Sequence, residues 1–166
     1  MHKVKSETEA QFLADIEKHR GLLHKICLAY SDDSTGRDDL KQEIILQLWK
    51  SYPSFRRQSG FSTWMYRVAL NTAISLTKKK FHFISLDKAP DIYHDTDITM
   101  NLSEDVRILY KAISYLDKIE KAIVLLWLED RSYEEISGTV GISVKNVSVR
   151  LVRIKTKLAG YITKLQ

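Results

Sequence analysis

Apolar residues return at spacings of three and four along almost the whole chain, and that periodicity is the signature of helices packed by one face. Phe12, Ile16, Leu23, Ile26 and Tyr30 predict a first helix over 8–30. Gly36 breaks that pattern, and Asp39-Leu-Lys-Gln42 has the form of a capping box opening a second helix. Leu40, Ile44, Leu48 and Trp49 form that helix's stripe, and Pro53 closes it. A basic loop, Phe55 to Gly60, leads to a third helix from about Ser62 with Trp64, Met65, Val68, Ala69 and Leu76 on one face. It ends in Lys78-Lys79-Lys80, cations that suit a helix C-terminus as well as a polyanion. Two prolines and six glycines in 166 residues are too few for a many-turned all-β or collagen-like chain.

Residues 81–102 lose the periodicity and are predicted to form an acidic linker with little fixed structure. Helical spacing resumes at Val106, Leu109, Ile113 and Leu116, and again at Ile119, Ile123, Leu126 and Trp127. The expected fold class is all-α: two small helical domains, 1–80 and 103–166, joined by the linker. Charge follows the same division. Residues 37–80 carry net +6, residues 81–105 net −5 and residues 131–166 net +5. Two polyanion-facing modules explain this pattern, and two solvated helical faces explain it equally well.

The sharpest local signal lies near the C-terminus. Ser132-Tyr-Glu-Glu135 is a capping box, Ile136 faces inward, Ser137 is small and Gly141 supplies a turn with positive φ. Ser143 caps a second helix with Val147 and Leu151 on its buried face. This is the pattern of a helix-turn-helix, more specific than an ordinary helical hairpin because the second helix is basic. It exposes Lys145, Asn146, Ser148, Val149, Arg150 and Arg153 to base edges or phosphates.

The stretch from Tyr133 to Arg153 resembles region four of bacterial RNA polymerase sigma factors, with the extracytoplasmic-function (ECF) group the nearest match. Asp39-Leu-Lys-Gln-Glu-Ile-Ile-Leu-Gln-Leu-Trp49 resembles region 2.2 of that family, and Phe61 to Asn71 resembles regions 2.3 and 2.4. Order and spacing agree over nearly the whole chain. Two departures stand out: Leu116 to Lys121 lacks the family's usual proline and arginine, and Ser148-Val149 stands where a basic base reader is usual.

The resemblance implies a sigma factor that directs core RNA polymerase to promoters, with 1–80 as the region 2 domain and 103–166 as the region 4 domain. Its partners would be the β′ clamp and β flap of the core polymerase, promoter DNA and an anti-sigma factor. Asp39, Gln42, Glu43 and Gln47 would dock on the clamp. Their polar stripe suits a basic protein partner, though a stripe of this kind is commonly only solvated. Lys145, Asn146, Ser148, Arg150 and Arg153 would contact the minus-thirty-five element. Arg56, Arg57, Phe61 and Asn71 would act at the minus-ten element. Independently of the resemblance, Phe55, Phe61, Trp64 and Tyr66 beside Arg56, Arg57 and Arg67 offer stacking platforms and strand-holding cations. A core role competes for Phe61 and is the stronger reading for Trp64, and Asn71 is equally an exposed polar helix residue.

Enzymatic readings lack their parts. There is no Gly-rich phosphate loop, no His pair at i, i+4 and no carboxylate–metal constellation, so no catalytic residue, metal or cofactor is expected. His82, His94, Asp95 and Asp97 form at best a loose metal set in a solvated segment. Cys27, the one cysteine, lies on the apolar stripe and is expected in the core. No apolar run approaches a spanning helix and no secretory signal is visible, so a cytoplasmic location is expected. The rival reading is a free-standing helix-turn-helix regulator. Its operators would demand a dimerisation helix, and no heptad supplies one.

Overall fold

In the computed structural model, residues 2–80 and 102–166 are described, and among them every regular element is helical. Four helices make the first group: α1 (His2–Lys18), α2 (Arg20–Tyr30), α3 (Ser34–Ser51) and α4 (Phe61–Lys80). Four make the second: α5 (Glu104–Ser114), α6 (Lys118–Leu128), α7 (Tyr133–Val140) and α8 (Val144–Leu165). The expected linker at 81–102, with its acidic residues and histidines, lies outside the described residues apart from Leu102.

Three local expectations are corrected. The single helix at 8–30 is two, because the chain turns at His19, whose backbone leaves helical geometry (φ −113°, ψ 15°) while its Nδ1 lies 2.7 Å from the Asp15 carbonyl. Gly36 does not break a helix; it lies buried in the first turn of α3. Its N–H donates to Asp33 Oδ1 at 2.6 Å, so Asp33 is the cap and Asp39 sits inside the helix. The same acceptor-x-x-Gln spacing recurs by chance on any polar helix face, and here the earlier aspartate has the extended backbone that a cap requires (φ −125°, ψ 164°).

The second group follows local chemistry closely. Ser103 caps α5, Ser132 caps α7 with Glu135 completing the box, and Ser143 caps α8. The segment Leu116 to Lys121, which departs from the sigma pattern, builds a capping box of its own. Asp117 Oδ1 accepts from the N–H groups of Ile119 and Glu120, both at 2.8 Å, while the Asp117 N–H donates to Glu120 at 3.2 Å. The other Glu120 oxygen pairs with Lys157 of α8 at 2.5 Å, tying the start of α6 to the last helix.

The core runs through both groups. Leu23, Ile26, Ile44, Leu48, Met65, Tyr66 and Leu70 are among its fully buried members in the first, and Ile113, Ile123, Leu125, Ile136 and Leu151 among those in the second. Side chains of this size each gain about 2 kcal/mol from leaving water. Helix α2 packs against α3 and α4 and also against α5 and α6. Cys27 is buried there as expected, and burial pushes its thiol up to about 11. Because the thiolate is the nucleophile, Cys27 in the native chain at pH 7.5 is expected to resist iodoacetamide and to react at the rate of unfolding. Rapid native-state alkylation, followed by mass spectrometry, would contradict this packing.

Candidate nucleic-acid interface

The turn between α7 and α8 is fixed by its own residues. Ser137 Oγ donates to the Ile142 carbonyl at 2.6 Å, and Gly141 takes the left-handed conformation (φ 79°) while its N–H closes on the Ser137 carbonyl at 2.9 Å. A side chain at 141 would be strained in that conformation. Glu135 accepts the Ser132 N–H at 2.9 Å, and that bond holds its carboxyl below the usual carboxylate range. Val147, Leu151, Ile154 and Leu158 then face inward from α8.

All five expected groups on α8, Lys145, Asn146, Ser148, Arg150 and Arg153, are exposed. At ~100° per residue they divide by direction. Lys145 points almost straight away from the buried stripe, with Arg153 and Asn146 beside it. Arg150 and Ser148 leave at opposite flanks. Two further cations of the helix are occupied: Lys155 lies 4.3 Å from the centre of the Trp127 ring and Lys157 is paired with Glu120.

On the first group, Arg56 and Arg57 are exposed in the loop before α4, and Asn71 is exposed along that helix. Arg57 has φ 53°, a conformation that side-chain-bearing residues seldom adopt outside functional or tightly held turns. Phe61 is half-buried. The aromatic groups pack on one another: Phe55 stacks on Trp64 with centroids 4.8 Å apart, Phe61 meets Phe55 edge-on at 5.8 Å, and Tyr52 meets Phe61 edge-on at 6.4 Å. These rings therefore brace the 55–60 loop from below; Arg56 and Arg57 both stay exposed, with the Arg57 side chain hydrogen-bonded to the Tyr52 hydroxyl. Tyr66 is no platform. It is 1% exposed, because it falls on the face of α4 that packs inward.

Along α3, Asp39 and Gln42 are exposed, while Glu43 and Gln47 are half-buried and joined, Gln47 Nε2 donating to Glu43 Oε1 at 2.7 Å. Leu46 stands among them in solvent, 44% exposed. Sequence periodicity does not find it, since a leucine at helical spacing reads as core.

The structure also joins residues far apart in sequence. Arg131, in the turn between α6 and α7, donates to Thr63 Oγ1 at 3.0 Å and to Ser62 Oγ at 3.1 Å. Arg67 donates to the Gly138 carbonyl at 3.0 Å, Tyr30 to the Lys118 carbonyl at 2.5 Å, and Lys25 pairs with Glu129. The first turns of α4 thus lie against the helix-turn-helix unit through polar contacts, beside a buried Tyr66 hydroxyl without a hydrogen-bond partner. Among the described residues no cluster of His, Cys, Asp and Glu could hold a metal, and no helix is long and apolar enough to cross a membrane.

Comparison with known proteins matches both halves of the chain. The sigma-70 region 2 family model covers residues 16–81, and the sigma-70 region 4 model covers residues 106–158. The chain is 27% identical to RNA polymerase sigma factor SigV of Bacillus subtilis over 98% of its own length and 97% of that protein's. It is 30% identical to the ECF RNA polymerase sigma-E factor of Haemophilus influenzae, over 76% of this chain and 75% of that one. Among solved structures, the fold matches the sigma factor RpoE of Bartonella quintana in complex with the anti-sigma factor NepR, with TM-score 0.64, 19% identity and 98% of each chain covered. It also matches CnrH in complex with the cytosolic domain of CnrY, with TM-score 0.65, 18% identity and coverage of 94% of this chain and 90% of that one.

Proposed function

The chain belongs to the sigma-70 family, in its extracytoplasmic-function group, and from that premise we propose that it binds core RNA polymerase and directs it to a specific set of promoters. The observation that carries this reading is the occurrence of region 2 and region 4 matches in order on one chain, the second coinciding with a helix-turn-helix whose outer helix is basic. A free-standing regulator has no use for the region 2 half, so that alternative is not favoured.

Roles follow by position. Residues 1–80 serve as the region 2 unit, 103–166 as the region 4 unit and 81–102 as their connector. Asp39, Gln42, Glu43 and Gln47, with Leu46 at their centre, meet the clamp of the β′ subunit; the region 4 unit meets the β flap. Arg56, Arg57, Phe61 and Asn71 act at the minus-ten element, where Phe61 works by supporting the loop. Lys145, Asn146, Ser148, Arg150 and Arg153 hold the minus-thirty-five element. Sigma factors are initiation factors, and this chain contributes no covalent chemistry, cofactor or metal of its own. It works where the polymerase works, in the cytoplasm. An anti-sigma factor is its further partner, as NepR is for the sigma factor RpoE of Bartonella quintana.

Run-off transcription with core polymerase on a promoter library tests the assignment. Selective, chain-dependent initiation from a subset of templates is the expected result. Operator binding without polymerase, and no gain in initiation with it, would restore the free-standing regulator.

A further inference from the structure

The outward ridge of α8 is apolar where a base-reading helix is ordinarily polar. Val149 is 43% exposed and Val152 66% exposed. At ~100° per residue both point away from the stripe formed by Val147, Leu151 and Ile154, in line with Lys145. They lie in the N-terminal half of the helix, the part that a helix-turn-helix inserts into the major groove. Asn146, Arg153 and Arg150 follow one another along one side of the ridge, cations and a polar group suited to phosphates at one groove wall, and Ser148 lies on the other side. A groove that receives the outward face of α8 meets valine at its deepest point. The floor of the major groove offers one apolar group, the C5-methyl of thymine, and every other feature there is a hydrogen-bond donor or acceptor that valine cannot satisfy.

We propose that Val149, assisted by Val152, makes this chain a reader of pyrimidine C5-methyl groups in the minus-thirty-five element. The inference rests on the assignment of α8 to that element and specifies its base chemistry. It requires thymine at one or two positions of the element, chosen by the methyl rather than by hydrogen bonds. A 5-methylcytosine at such a position is accordingly better tolerated than cytosine.

The test uses holoenzyme assembled from the full chain and core polymerase, on a promoter recovered by the library selection. Each thymine of the minus-thirty-five element, on either strand, is replaced in turn by uracil, which differs only in lacking the methyl. Competition binding is expected to weaken about fourfold at one or two positions, the effect of one unburied methyl. 5-Methylcytosine at the same positions should bind more tightly than cytosine. In Val149→Ser the distinction between thymine and uracil should vanish at the principal position, while in Arg153→Ala it should persist. Both substitutions are at exposed positions, and unchanged melting temperatures check the fold. Uracil tolerated at every position by the unaltered holoenzyme overturns the proposal, as does full uracil sensitivity in the Val149→Ser and Val152→Ser variants. Loss of affinity for core polymerase itself in Val149→Ser would assign the ridge to a protein contact instead. If scrambling the whole minus-thirty-five element leaves holoenzyme binding unchanged, the assignment of α8 fails first; sensitivity to scrambling without sensitivity to uracil removes only the methyl reading.

Discussion

Replacing Arg150 and Arg153 together with alanine is expected to weaken promoter binding by the holoenzyme about ten- to a hundredfold at 0.15 M salt, and to lower the salt slope of binding by about two. Both guanidiniums are exposed on α8, but they leave the helix in different directions. Arg150 emerges near the seam where α8 meets the rest of the unit, a position from which a long side chain reaches a groove wall. Arg153 lies closer to the outward ridge. Arg150→Ala alone should therefore weaken all promoters alike, as the loss of a phosphate contact does. Arg153→Ala should also relax the preference at one base pair if its fork engages guanine. Titration of binding against salt for each variant, on matched and mismatched elements, separates the two. An unchanged slope in the double variant would remove both residues from the interface.

The helix-turn-helix is legible in the sequence because each of its decisions is local. Ser132 and Glu135 lie within one turn of each other, Gly141 meets a φ demand of its own residue, and Ser143 caps the helix it begins. Where two local solutions compete, sequence alone decides poorly. Asp33 and Asp39 both precede plausible helical runs, and what selects Asp33 is the extended backbone at that residue and the bond to the Gly36 N–H. The N-terminal apolar spacing likewise runs through His19 without a visible interruption, although the chain turns there. Tyr66 shows the limit for aromatic residues: its position beside arginines suggests a platform, while the packing of α4 places it in the core.

The contacts of Arg131 with Ser62 and Thr63 lie beyond any periodicity, since nearly seventy residues separate the partners. They bear on the proposed function because they involve the first turn of α4, directly after the 55–60 loop proposed to act at the minus-ten element. Beside the apolar packing of α2 on α5 and α6, the seam has a polar part built from single hydrogen bonds and the Lys25–Glu129 pair, and the exposed ones among these, Lys25–Glu129 and Arg67–Gly138, contribute little net stability. A buried tyrosine hydroxyl without a partner at Tyr66 works against the seam rather than for it. By contrast, the apolar residues within each group, Ile44 and Met65 in one and Ile136 and Leu151 in the other, are fully buried. The balance favours each group keeping its fold while the polar part of the contact between them exchanges for contacts with polymerase and DNA.

Asp39→Lys is expected to reduce affinity for core polymerase about a hundredfold while leaving the fold intact. Asp39 is exposed on α3, one turn from Glu43, with Leu46 in solvent along the same surface. An acidic and amide stripe around an exposed leucine has the composition of a protein interface whose partner is basic. Reversing one charge at such a contact removes an attraction and adds a repulsion, and like charges brought together across an interface cost several kcal/mol. Gln42→Ala removes only a hydrogen-bonding group and should cost less, about five- to tenfold. Neither substitution disturbs the core, because Leu40, Ile44 and Leu48 carry the buried face of α3 and the helix is capped by Asp33. Two measurements on the full-length variants decide the role of the stripe: affinity for core polymerase, and binding of the free chain to a minus-thirty-five duplex. Loss of the first with retention of the second places α3 on the polymerase. Equal loss of both, accompanied by a lowered melting temperature, would make the stripe part of the fold instead. Because α3 and α8 contribute separate surfaces, Asp39→Lys should also leave the thymine-against-uracil distinction intact in whatever holoenzyme still assembles at high protein concentration.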